Sequence, residues 1–304
     1  LDNWLKVKKQ TVKARSLEIY ADLVERVIRP ALGDKRLADV NASDIQRLYG
    51  HLADKGYGGR TLELIHVTLT NIFRFAAKWD LIRKNPMLAV DRPRHVKKEM
   101  QSLNAEQARA LLKAIEGEPH ECLLQFLIVT GCRPGEALAL KWSDINWQNG
   151  AVTIQRNLVR LKGGKWQFDD PKTAKGRRTL PLPPKMIKML SDHRRRQNEH
   201  RLKLGAEWRA LDLVFPNDFG KPPGTNFIRD KFQVALRQAE LPHFRPYDLR
   251  HSAATLLMGE GMSPKIVSER LGHANINITL EVYSHVLPTM QEEASEKLEK
   301  LLFG

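Results

Sequence analysis

Arg133 in Thr130-Gly-Cys-Arg-Pro-Gly-Glu136, Arg250 in Tyr247-Asp-Leu-Arg-His251, His273 in Leu271-Gly-His273 and Tyr283 in Glu281-Val-Tyr-Ser-His285 are spread over the C-terminal half of the chain. An arginine fork can bind two phosphate oxygens at once and stays charged at any working pH. Breaking a phosphodiester without a metal needs three things: a nucleophile, cations around oxygens whose charge grows in the transition state, and a proton donor for the leaving oxygen. The chain offers candidates for all three. Each fragment taken alone has an ordinary reading. A lone arginine at a helix end is usually solvated, a histidine after a glycine is usually a turn residue, and a tyrosine at helical spacing from Leu280 and Val286 is usually half-buried.

The elements that must position these side chains follow from periodicity. Residues 1–92 read as helices. Leu17, Tyr20, Leu23, Val24 and Val27 recur at helical spacing, as do Ile45, Leu48, Tyr49 and Leu52. Asn41-Ala-Ser-Asp44 supplies cap residues, and Gly56-Tyr-Gly-Gly59 breaks the chain before a helix over residues 61–79, which predicts a domain of four or five helices. Residues 93–101 are charged, carry Pro93 and read as a linker. A second domain is expected over 102–287 and a tail over 288–304. Ser102-Leu-Asn-Ala-Glu106 opens a helix, and the apolar run 123–130 leads to Arg133, where Gly131 and Pro134-Gly135 force a turn. The period changes to that of strands at 151–154, 158–161, 166–168 and 178–182, a small antiparallel sheet set among helices. Helices resume at Pro184, and Ser263-Pro264 and Leu271-Gly272 bracket one of them just before His273.

Fifty Lys and Arg against thirty-five Asp and Glu give a formal charge of +15 and a pI near 9.9, which favours a polyanionic partner. The excess concentrates at 171–203, where eleven basic residues, Arg194-Arg-Arg196 among them, meet only Asp192 and Glu199; a solvated face is the ordinary alternative. Residues 291–304 carry four Glu and two Lys, a composition suited to a protein partner. Two cysteines are too few for a disulfide scaffold, and no apolar run is long enough to span a bilayer, so the chain is expected to be cytoplasmic. It starts at Leu1 without an initiator Met, so an upstream piece is expected.

In order and local sequence the four fragments resemble the tyrosine recombinases, the family that includes phage and transposon integrases, over essentially the whole chain. Arg133, followed by Gly135-Glu136-Ala-Leu-Ala-Leu140, resembles the first arginine box, and Phe244-Arg-Pro-Tyr-Asp-Leu-Arg-His-Ser-Ala-Ala254 resembles the second. His273 resembles the third box, where the ring donates to a phosphate oxygen. The resemblance implies that Tyr283 attacks phosphorus to leave a 3′-phosphotyrosine and a free 5′-hydroxyl. The ester keeps the bond energy, so religation needs neither ATP, metal nor another cofactor. Glu136 would orient the site; a surface acid is its ordinary reading. The second box usually begins with histidine, where this chain has Tyr247. A phenol with pKa near 10 can donate to a phosphate oxygen but is a poor base at neutral pH, which leaves the base for Tyr283 open. His251 reads as structural. The stretch 170–181 resembles the lysine hairpin that supplies the general acid, with Lys172 as first choice and Lys175 as competitor.

The fold so implied is mostly α with a small antiparallel sheet in the C-terminal domain, a two-domain C-shaped clamp on double-stranded DNA. Arg60, Thr61, Lys175, Arg177 and Arg194 are candidate DNA contacts, and no metal site is expected. The resemblance further implies a homo-tetramer on two duplexes, with accessory DNA-bending proteins as candidate partners and the tail docked on a neighbouring subunit. An integrase of a mobile element is the expected role. The alternatives are a type IB topoisomerase-like enzyme and a catalytically silent DNA-binding relative.

Overall fold

Apolar side chains recur every three to four residues through most of the chain, and the computed structural model is accordingly mostly helical. It describes residues 1–95, 100–171, 174–283, 295, 296 and 298–303, and for 174 and 281–283 the backbone alone. Two compact units are present: Leu1–Glu99 with the turn Leu161–Lys165, and Met100–Arg160 with Trp166–Gly304.

In the first unit α1 (Asp2–Thr11) precedes α2 (Ala14–Leu23), which continues through a π-helical turn at Val24–Ile28 into α3 (Arg29–Leu32). Pro30 has no N–H to offer the preceding turn, and a widened turn accommodates that loss. α4 (Ala42–Asp54) begins at a capping box in which Asn41 and Asp44 each bond the other's backbone N–H. α5 (Gly59–Lys78) starts two residues before the expected Thr61. Ile45, Leu48, Tyr49 and Leu52 of α4, and Leu62, Ile65, Leu69, Ile72 and Phe73 of α5, close the core with Trp4, Val24 and Ile28.

The second unit opens at Asn104, which caps α6 (Ala105–Ala114) reciprocally with Gln107. α7 (Glu121–Thr130) is apolar nearly all round and lies at the centre of the core. Its Phe126 is fully buried, and truncation to Ala there should cost about 3–5 kcal/mol. α8 (Pro134–Leu138) follows, with Pro134 at its first position.

The strands divide between two antiparallel sheets. β1 (Ile145–Asn146), β2 (Ala151–Ile154) and β5 (Arg178–Pro181) form one in the order β1-β2-β5; β3 (Asn157–Arg160) and β4 (Trp166–Asp169) form the other. The register Val152↔Leu180 turns both side chains into the core, while Thr153 and Thr179 meet on the other face with their hydroxyls 3.0 Å apart. The same register, Ile154↔Arg178, fixes where Arg178 begins β5.

α9 (Pro184–Leu204) packs through Met186 and Leu190, with His193 and Gln197 of the same face bonded to the carbonyl of Val214. α10 (Phe227–Gln238), α11 (Asp248–Gly259), α12 (Pro264–Leu271) and α13 (Asn277–Tyr283) complete the unit. Ser263 caps α12, as its place before Pro264 predicts. Of the tail, Leu298, Leu301, Leu302 and Phe303 are exposed.

Candidate active site

Two sharp turns bring distant segments together. α7 ends at Gly131 in the left-handed region (φ 61°), where a Cβ would stand 2.3 Å from Leu271 Cδ2 and 3.2 Å from Ala253 Cβ. Only glycine fits both the backbone and the approach to α11 and α12. The freed carbonyl of Gly131 accepts from Arg250 Nη1 at 2.9 Å. α12 likewise ends at Gly272 (φ 69°), and His273 follows that turn.

Glu136, 3% exposed, sits between two guanidinium groups. Arg133 Nη1 donates to its Oε1 at 2.7 Å, the Arg133 N–H to its Oε2 at 2.9 Å, and Arg178 Nη2 to Oε2 at 3.0 Å. Burial would raise the pKa of Glu136, but Arg178 and then Arg133 pull it below the usual carboxylate value. Burial also works against the charge of Arg133, but the Glu136 carboxylate, joined by the Tyr247 phenol, outweighs it and raises that pKa.

Arg250 is 1% exposed, and its Nε and Nη2 are buried without a hydrogen-bond partner among the described residues. Burial and the adjacent Arg133 charge push its pKa down to about 10, which leaves it protonated at neutral pH. His273 is buried, with Nδ1 2.7 Å from the Thr279 hydroxyl. Burial, then the charges of Arg250 and Arg133, push its pKa down to about 3, so the ring is neutral at physiological pH. Tyr247 is 42% exposed, and its ring meets that of His251 edge-on with centroids 5.3 Å apart.

Three guanidinium groups thus face one carboxylate in a largely dry site. Buried donors without partners cost stability unless a ligand meets them, and an excess of cation together with free N–H groups suits an oxyanion. The thiols are no rival nucleophiles: burial pushes Cys122 up to about 12 and Cys132 up to about 11. Among the described residues no His, Cys, Asp and Glu group could hold a metal ion, and no helix is long and apolar enough to cross a membrane.

The structure therefore brings Arg133, Glu136, Tyr247, Arg250 and His273 together. Lys175 and Arg177 lie exposed on the nearby turn, and a Cβ at Gly272 would stand 2.8 Å from the Lys175 carbonyl. Lys172 lies outside the described residues. Tyr283 ends α13, and its side chain is likewise outside what is described. Arg194 belongs to another region, its guanidinium over the rings of Trp142 and Trp147 at 5.5 and 5.7 Å. Arg60, at the start of α5 in the first unit, pairs with Glu63 at 2.7 Å; Thr61 follows it and is half-buried.

Sequence reasoning missed Arg178 and Thr279. Arg178 was one of several basic residues in a basic run, and only its strand register distinguishes it. Thr279 lies six residues beyond His273, a spacing that brings the two side chains together only through the turn into α13.

The profile of the phage integrase family matches residues 101–290, more than half of the chain, and that of its N-terminal SAM-like domain matches residues 1–53. The chain belongs to the phage integrase family. This family member is a tyrosine-type site-specific DNA recombinase. It is 29% identical over 283 residues to a XerC-like tyrosine recombinase of Caldanaerobacter subterraneus subsp. tengcongensis, covering 88% of this chain and 72% of that one. Among solved structures, the Tn1549 transposon integrase in complex with transposon right-end DNA superposes with a TM-score of 0.77 at 22% identity, with 98% of each chain covered. The lambda integrase tetramer bound to a Holliday junction gives 0.66 at 20% identity, covering 92% of this chain and 75% of that one. Both show the fold of this integrase-family protein.

Proposed function

We propose that this recombinase cuts and rejoins DNA through Tyr283. The observation that carries the reading is Arg250, a buried cation with two nitrogens unpartnered among the described residues, beside Arg133 and a neutral His273. The Tyr283 oxygen attacks phosphorus, the bond from phosphorus to the 5′ oxygen breaks, and a 3′-phosphotyrosine and a 5′-hydroxyl result. Arg133 and Arg250 bind the non-bridging oxygens, whose charge grows in the transition state. His273, with Nδ1 occupied by Thr279, offers Nε2 to one of the same oxygens, and the Tyr247 phenol donates to another. Lys172 protonates the leaving oxygen, with Lys175 as the alternative donor. Glu136 orients Arg133.

On this reading residues 1–92 form a DNA-binding domain joined by a linker at 93–101 to the catalytic domain at 102–287. Arg60, Thr61, Lys175, Arg177 and Arg194 contact the DNA backbone; a guanidinium stacked on a ring, as in Arg194, keeps its N–H edge free for phosphate. The enzyme works as a tetramer on two duplexes in the cytoplasm, with the tail 288–304 docked on a neighbour. The lambda integrase tetramer on a Holliday junction supports that assembly. The experiment is a nicked suicide substrate that traps the covalent adduct. Wild type should form it, and Tyr283→Phe should not, while binding duplex within a fewfold. Persistence of the adduct in the Phe variant would sink the assignment.

A further inference from the structure

Arg178 and Arg250 are both buried arginines beside Glu136, yet their hydrogen bonding is opposite. Arg250 leaves Nε and Nη2 without partners among the described residues. In Arg178 each of the three nitrogens is occupied by protein: Nε donates to the Arg270 carbonyl at 2.7 Å, Nη1 to the Gly176 carbonyl at 3.0 Å and Nη2 to Glu136 at 3.0 Å. Its side chain is 6% exposed. A planar fork with fixed donors can satisfy three acceptors in three directions at once, which a lysine ammonium on a flexible stem reproduces poorly.

The three acceptors belong to three different parts of the site. Glu136 also holds the backbone and guanidinium of Arg133. Gly176 closes the turn Ala174–Gly176 that carries Lys175. Arg270 lies in the last turn of α12, three residues before His273, and its own Nη2 donates to the Val129 carbonyl of α7. We propose that Arg178 is a positioning residue, fixing the first arginine, the basic turn and the histidine in one arrangement without itself touching the phosphate.

This inference rests on the cleavage reading above, and its test separates the two. Single-turnover adduct formation on the suicide substrate yields a rate constant and a burst amplitude. Duplex binding and Tm are measured beside it. Arg178→Ala should slow the adduct rate constant about 100-fold, the scale of an ångström-size misplacement at a reacting centre, with amplitude and duplex binding within threefold of wild type. In an Arg133→Ala background it should cost less than in wild type, because the share of its effect that runs through Glu136 and Arg133 is already lost, while the shares through the basic turn and the histidine remain. A merely structural role would lower amplitude and Tm and leave the rate constant of the active fraction unchanged, and that result overturns the proposal. Should Arg178→Ala fail to fold, Arg178→Lys decides: at least tenfold slower at full amplitude supports the proposal, and wild-type rate refutes it. Absence of an adduct from wild type itself would instead remove the cleavage reading.

Discussion

The cluster around Arg250 and the arginines of α9 are both basic, and they are built in opposite ways. Arg194, Arg195 and Arg196 lie exposed on α9, outside the stripe of Met186, Leu190 and Gln197, with the Arg194 guanidinium over the rings of Trp142 and Trp147. There a charge is solvated, and a partner at 4 Å gains only about 1 kcal/mol in a water-like dielectric. Arg250 is dry, lies beside Arg133 and has two donors without partners among the described residues. Counting basic residues finds the first region, where charge is dense. Chemistry is better served by the second, where few charges are desolvated and aimed, because preorganised donors act most strongly where water is excluded.

The sharpest break of that comparison is Arg250→Ala. Single-turnover cleavage should fall about 100- to 1,000-fold, the range for removing one preorganised donor to a developing oxyanion, while duplex affinity stays within a fewfold. A loss of affinity as large as the loss of rate would make Arg250 one more surface cation.

A smaller effect appears with pH and only in the buried region. His273 has an ordinary value of 6.5 and a folded value of about 3, so between those values the unfolded chain binds a proton that the folded chain refuses. Stability contributed by the neutral ring is therefore complete above about pH 6.5 and falls as pH is lowered. The slope is on the order of 1 kcal/mol per pH unit. Chemical denaturation at pH 7.5, 6.5 and 5.5 should give a shallower acid slope for His273→Asn than for wild type. Identical slopes would show that the imidazole is not held neutral. No such difference is expected when the α9 arginines are changed.

The smallest effect belongs to α9. Replacing Arg194, Arg195 and Arg196 together by Gln should weaken duplex binding mainly at low salt. The slope of log affinity against log salt should drop by about 0.9 for each phosphate that these arginines neutralise, with cleavage at saturating DNA unchanged. A tenfold loss of saturated cleavage would erase the distinction between the two regions.

Much of this arrangement was legible in the residues. The caps at Asn41, Asn104 and Ser263 mark helix starts because their side chains answer orphan N–H groups locally. Gly131 and Gly272 mark the turns that deliver Arg133 and His273, because a positive φ is written into the residue type. Arg133, Arg250 and His273 carry recognisable neighbours, so their meeting could be expected without knowing the path between them. Arg178 and the division into two sheets could not. β2 passes over β3 and β4 to pair with β5, and such non-local pairing leaves no trace in a local period. Arg178 becomes special only through that register, and Thr279 only through the turn that brings it to His273.

The most direct test of the central claim is chemical. DNA trapped covalently on the protein can be digested and the modified peptide located by mass spectrometry. The account predicts a nucleotide 3′-phosphate esterified to Tyr283 in the peptide around Glu281-Val-Tyr-Ser-His285. Attachment at any other residue, or a trapped 5′-phosphate end, would contradict it.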